Sequence, residues 1–281
     1  MALITGAETG RSFPQATLRR LVFLLLILFA ACFADVPAFA LDPSTTGVVL
    51  MHGKWLDSTT LQPVTKALKD AGFLVDTPEM PWSGSRLYDR SCDEAYDEID
   101  AATARLIKAG AKQIVVAGHS SGAAAAFRYA GRHGDLAAVV LIAPAPVIES
   151  ERFHERIAGE LARAQEMAAA GQGDAMATFL DFNSIGHSRP VNTTANHYLS
   201  YNAPDGPAAM SLAAPAIGAV DMLWIAASED PGRETFAHFI QPQLSTKVRL
   251  KQIVVTADHL GAPAAAAEPV VAWLLALKSV P

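Results

Sequence analysis

Four short apolar runs punctuate the chain, at residues 47–51 (GVVLM), 113–117 (QIVVA), 138–142 (AVVLI) and 222–226 (MLWIA). Each is continuous rather than alternating, the pattern of strands covered on both faces. A weaker run lies at 73–77, and a last one extends over about 248–255. The segments between them carry the helical period. Residues 60–71 place Leu61, Val64, Ala67 and Leu68 on one side, with Gly72 as a stop. Residues 93–109 align Ala95, Ile99, Ala102 and Leu106 opposite acidic positions, and Gly110 ends the pattern. Strands alternating with helices of this length predict an α/β fold with a mostly parallel sheet of about six strands, flanked by helices.

One connection breaks the rhythm. Residues 147–221 begin with an amphipathic, charged helix over 150–170 and turn irregular through 182–190. A structureless insert of this size is unusual in a compact domain, so a mostly helical cap over one edge of the sheet is expected.

The most apolar run of all lies earlier. Residues 21–29 (LVFLLLILF) follow Arg19-Arg20, and no charge appears until Asp35. Ala38-Phe39-Ala40 has the small-x-small form of a cleavage site, and the three features together predict a secretory signal peptide over 1–40. The core falls short of the roughly 20 apolar residues that a membrane span needs. Two alternatives concern processing: Ala30-Ala31-Cys32 has some likeness to a lipoprotein box, and Arg19-Arg20 to a twin-arginine signal. A periplasmic or secreted protein is expected, touching membrane only through the signal or a lipid anchor.

Cleavage after Ala40 removes Arg11, Arg19, Arg20, Glu8 and Asp35, so 22 basic and 28 acidic residues become 19 and 26, a net charge of −7. Without a Lys/Arg cluster, nucleic acid is not an expected partner. Cys92 is then the sole cysteine, which rules out an internal disulfide. Its neighbours Asp93 and Glu94 would raise a thiol pKa, so an inert thiol is expected. No Cys/His spacing suggests a metal, and no organic cofactor is implied.

The chemistry concentrates at Gly118-His119-Ser120-Ser121-Gly122, which follows a strand run and precedes the small-residue helix start Ala123-Ala124-Ala125-Ala126. A serine on a sharp strand-to-helix turn sits in strained backbone geometry, and glycines two residues either side let the chain pass. Its hydroxyl then stands at a helix amino terminus, where negative charge is favoured. A serine also needs a base, held in turn by a third group. The 222–226 strand ends in Ala227-Ser228-Glu229-Asp230-Pro231, and the last strand runs into Thr256-Ala257-Asp258-His259. Both lie at carboxyl ends of strands, where open sheets place their sites.

From Gly47 to Val280 the chain resembles the α/β-hydrolase superfamily, in its esterase- and lipase-like members. The resemblance implies that Ser120 is the nucleophile, Asp230 the acid and His259 the general base, with Glu229 the rival for the acid. It also implies two backbone N–H groups as an oxyanion hole. One is that of Ser121; the other is that of Lys54, in the His-Gly-x-like stretch Met51-His52-Gly53-Lys54-Trp55. On that reading the Lys54 side chain is not expected to matter. Little chain lies between the cleavage site and Gly47, so the two amino-terminal strands of larger members are expected to be missing.

Further pocket candidates are His52, Trp55, Trp82, His119 and Tyr201. In the loop after the second strand, Trp82, Arg86 and Tyr88 either line a pocket or, for Arg86, pin the loop through Asp89. The expected activity is hydrolysis of a small-molecule carboxylic ester through an acyl-enzyme. Amidase, peptidase or acyltransferase chemistry on the same residues stands as an alternative, and so does a non-catalytic binding protein of the cell envelope.

Overall fold

The computed structural model describes residues 41–277. The signal peptide expected over 1–40, with Cys32, lies outside the described residues. Six strands form one sheet: β1 (Thr46–Met51), β2 (Leu74–Asp76), β3 (Gln113–His119), β4 (Ala138–Ile142), β7 (Asp221–Ala227) and β8 (Arg249–Val255). The spatial order is β2-β1-β3-β4-β7-β8, and all five pairings are parallel. Chain order runs outward from β1 to β2 on one side and from β3 onward on the other. The point where direction reverses, between β1 and β3, is where open sheets leave a crevice above their carboxyl ends.

Strand side chains alternate, and here both faces are apolar. Val49, Met51, Val116, Leu141 and Trp224 pack on one face; Val48, Leu50, Val115, Val140 and Leu223 pack on the other. That is why the sequence shows unbroken apolar runs rather than alternation. Helices α1 (Gln62–Asp70) and α6 (Ala262–Ala276) cover the second face through Val64, Leu68, Ala266 and Val270. Helices α2 (Glu94–Lys108) and α3 (Ser121–Ala130) cover the first. In α2 the buried stripe is Ala95, Ile99, Ala102 and Leu106, with Glu94 and Asp97 in the first turn and Arg105 and Lys108 in the last, each opposing the helix dipole. No helix of the described residues is long and apolar enough to cross a membrane.

The insertion between β4 and β7 is mostly helical, as expected, with one addition. Helix α4 (Glu151–Ala169) is present, but an antiparallel hairpin follows it, β5 (Met176–Phe182) with β6 (Ser188–Thr194), before α5 (Ala195–Asn202). The loop read as irregular is the hairpin turn and its second strand. In β5 the inward positions are Phe179 and Asp181. A buried carboxylate breaks the apolar alternation by which a strand is recognised.

Candidate active site

Ser120 occupies the turn between β3 and α3 with φ 55° and ψ −118°, a conformation that L-residues rarely adopt. Neighbouring backbone over-determines it. The Ser120 N–H donates to the Ile142 carbonyl at 2.9 Å, and the Ser120 carbonyl accepts from Ala124 at 3.0 Å and Ala145 at 3.3 Å. The two glycines have distinct steric causes. A Cβ on Gly118 would stand 2.2 Å from the Gly122 carbonyl carbon, and one on Gly122 would stand 2.2 Å from the Met51 carbonyl oxygen. The turn therefore closes on itself and on the end of β1, bringing the loop after β1 beside the serine.

His259 lies on the loop after β8. With Nδ1 donating to Asp230 Oδ2 at 2.6 Å, its Nε2 accepts from Ser120 Oγ at 2.9 Å. Ser120, Asp230 and His259 are all buried. Burial by itself would raise the Asp230 pKa. The hydrogen bond and charge of His259, joined by the Gly232 N–H at 2.8 Å, outweigh it and hold the carboxyl below its usual range. Glu229, the rival acid, is exposed and makes no contact with His259. A second hydroxyl reaches the imidazole, since Ser184 Oγ in the β5–β6 turn lies 3.3 Å from Nε2. Sequence reasoning had no signal for it.

Lys54 and Ser121 line one cleft with Trp82, Tyr88 and Tyr201. Neither the Lys54 nor the Ser121 N–H donates to any acceptor among the described residues. Unpaired N–H groups beside a buried serine are what an oxyanion requires. The Lys54 side chain departs from the expectation that it would not matter. Its ammonium is buried, 3.0 Å from Asp181 Oδ1 and 2.9 Å from the Phe182 carbonyl. Asp181 also accepts from Tyr88 Oη at 2.7 Å and Trp55 Nε1 at 3.2 Å. The loop after β1 is thus tied to the hairpin of the cap by a buried ion pair.

Of the five further pocket candidates, Trp82 and Tyr201 line this cleft. Trp82 Nε1 donates to the His52 carbonyl at 2.8 Å, and Tyr201 stacks on Tyr88 with ring centroids 4.5 Å apart. The other three lie elsewhere. His52 is enclosed in the scaffold, its Nε2 accepting from the Met80 N–H at 3.0 Å. His119 donates from Nε2 to the His259 carbonyl at 2.8 Å, so it holds the imidazole loop rather than facing a ligand. Burial pushes its pKa down to about 3. Trp55 serves Asp181. Arg86 pins its loop, donating to Asp89 and, through both terminal nitrogens at 2.7 Å, to Glu98. Cys92 is buried, and its thiol pKa is raised by that burial. Among the described residues, no three His, Cys, Asp or Glu side chains stand close enough to hold a metal ion.

The family described as the alpha/beta hydrolase family matches residues 48–273, from within β1 through the cap and into α6. This chain belongs to it. Compared by sequence with curated proteins, the α/β-hydrolase matches none. Solved structures resemble it in fold. A structure reported with LipS and LipT, two metagenome-derived lipolytic enzymes, is 21% identical, with a TM-score of 0.59 over 83% of this chain and 93% of that one. DcsB in complex with its substrate analogue is 15% identical, TM-score 0.61, over 85% and 92%. Est1E from Butyrivibrio proteoclasticus with bound ferulic acid is 15% identical, TM-score 0.57, over 86% and 91%. At these identities the likeness is one of fold.

Proposed function

We propose that this α/β-hydrolase is a serine esterase that works beyond the cytoplasmic membrane and cleaves a small carboxylic ester through an acyl-enzyme. The observation that carries the reading is the continuous chain Ser120 Oγ–His259 Nε2, His259 Nδ1–Asp230 Oδ2, at 2.9 and 2.6 Å. Ser120 attacks the ester carbonyl while His259 Nε2 takes its proton. Asp230 keeps the proton on Nδ1 and stabilises the imidazolium as it forms. The charge that develops on the carbonyl oxygen is met by the Lys54 and Ser121 N–H groups, each such donor being worth about 2.7–4 kcal/mol. Collapse expels the alkoxide, protonated by the imidazolium. Water then repeats the sequence on the acyl-enzyme and frees the acid.

Labelling with a fluorophosphonate, wild type beside Ser120→Ala, with p-nitrophenyl ester turnover alongside, tests the proposal. Expected is labelling of wild type alone and a fall in kcat of about 10⁴-fold or more in the variant. Labelling absent from wild type favours a binding protein on a hydrolase fold, and labelling that persists in Ser120→Ala removes Ser120 as the nucleophile. Export is read from residues 1–40 and predicts a mature chain whose first residue is Leu41.

A further inference from the structure

Arg128 lies on α3, seven residues after Ser121, and it lines the same cleft. Ser121, Ala124 and Arg128 share one helix face, which joins the proposed oxyanion donors to the guanidinium along the wall of a narrow cleft of about 30 Å³. Seven residues of helix rise about 10 Å, and helical side chains lean back toward the amino terminus. The guanidinium therefore stands on the order of 5–10 Å from the oxyanion end.

Arg128 is only 6% exposed. Its Nε donates to Tyr96 Oη at 3.1 Å, Nη1 to the Ala208 carbonyl at 3.0 Å, and Nη2 to Cys92 Sγ at 3.7 Å. All three acceptors are neutral. Burial pushes the Tyr96 phenol up to about 12 and raises the Cys92 thiol, so neither supplies an anion at neutral pH. No carboxylate among the described residues lies within ion-pair distance of Arg128; Asp205 shares with it the wall of a second, outer cavity but stands beyond that reach. A guanidinium keeps its proton at any ordinary pH and carries five N–H donors, of which two remain unused here.

Two comparisons show how unusual this is within the molecule. Lys54, the other cation in the cleft, is neutralised by Asp181. Arg86, less buried than Arg128, pairs with two carboxylates. A buried charge without a counter-ion is costly, and the cost falls when an anion arrives. Apart from the Ser121 hydroxyl, which is buried without a partner, the rest of the cleft wall is aromatic or aliphatic, with the Tyr88 and Tyr201 hydroxyls committed to Asp181 and the Ser91 carbonyl.

We propose that Arg128 is a specificity residue that takes a carboxylate at the far end of the substrate's acyl chain, so that the substrate class is the monoesters of short dicarboxylic acids. This rests on the proposed esterase reading for the direction of the acyl chain. The first test needs no turnover. Monomethyl adipate and methyl hexanoate, of equal chain length, are titrated calorimetrically into Ser120→Ala protein. Expected is binding of the monoanion at least 10-fold tighter than the neutral ester, a preference lost in Ser120→Ala/Arg128→Met and partly kept in Ser120→Ala/Arg128→Lys. Equal affinities in the Ser120→Ala parent, or a preference that survives Arg128→Met, overturn the assignment. If the Arg128 variants fail to fold, equal affinities in the parent still overturn the assignment, and Arg128→Lys, which keeps the charge, is the variant that assigns a preference to this position. In active protein, the kcat/KM ratio of p-nitrophenyl hydrogen adipate to p-nitrophenyl hexanoate is expected to fall 10- to 100-fold in Arg128→Met. Anion-selective binding without turnover would leave Arg128 in place and remove the esterase reading.

Discussion

Asp181 offers a decisive perturbation because so much converges on it. The carboxylate is fully buried and accepts from the Lys54 ammonium, the Trp55 indole and the Tyr88 phenol. Asp181→Leu keeps an apolar volume in place and leaves the ammonium with one carbonyl, that of Phe182, and the faces of Trp55, Tyr88 and Phe153 at 5.6–5.9 Å. Removing one member of a buried pair costs about 3–5 kcal/mol. An unfolding entropy of about 2.1 cal/mol/K per residue, over roughly 240 residues, gives about 0.5 kcal/mol per degree, so Tm should fall by about 6–10 °C. Lys54→Met should cost a comparable amount, since it strands the carboxylate.

In the double variant no charge remains. Trp55 is partly exposed and can turn to water, so the residual loss is chiefly the orphaned Tyr88 hydroxyl, about 1–3 kcal/mol. The double variant should therefore be more stable than either single one, where additivity would make it the worst of the three. Urea unfolding at equilibrium, with m-values compared, measures all four corners of the cycle. Additive losses, or single losses below about 1 kcal/mol, would refute the coupling. Activity supplies a second reading. The Lys54 N–H is a proposed oxyanion donor, and its loop is anchored by this pair. Asp181→Leu should then lower kcat by about 10- to 100-fold with little change in KM, because displacements near 1 Å carry costs of that order.

Three further outcomes are expected. Asp230→Asn should reduce kcat by about 10⁴-fold, by stabilising the wrong imidazole tautomer, while Glu229→Gln stays within a few-fold of wild type in the same ester assay. His119 is held neutral by burial with its pKa near 3, against about 6.5 unfolded. The unfolded chain thus binds the extra proton between those values, so stability is full above about pH 6.5 and falls with pH toward 3. The slope is at most about 1.4 kcal/mol per pH unit, and urea midpoints of His119→Gln should show a shallower acid limb. Gly122→Ala would drive a methyl to 2.2 Å from the Met51 carbonyl oxygen, so it should lose about 3 kcal/mol or more and fluorophosphonate labelling with it.

Much of this was legible in the chain because the sheet is covered on both sides. Its strands read as unbroken apolar runs, and the predicted helices over 60–71, 93–109 and 150–170 match α1, α2 and α4 to within two residues at each end. The Ser120 turn was legible because the steric demands at Gly118 and Gly122 admit little besides glycine. Asp230 and His259 were legible because they sit just past β7 and β8. What stayed hidden depended on partners distant in sequence. Asp181, one residue before the stretch that reads as irregular, carries no signal until its contact with Lys54, 127 positions away, is seen. That same buried carboxylate disguised β5. Arg128 falls on a helix otherwise rich in alanine, and only three-dimensional placement shows that no carboxylate answers it.

The close approach of Gly122 to Met51 joins main chain to main chain. The Ser121 turn is therefore held against the end of β1 by covalent geometry and sheet register, and the Lys54 N–H, further along the loop, has the Asp181 ion pair as its second anchor. The far wall of the cleft, by contrast, is made of side chains that make no hydrogen bond to the loop after β1: Ile148, Tyr201 and, on α3, Arg128. Selectivity and reactivity are consequently separable by construction. Saturation libraries at Ile148, Tyr201 and Arg128 should shift which ester is preferred while the reactivity of Ser120 toward a small fluorophosphonate stays constant. This makes the scaffold a good starting point for redirecting substrate choice.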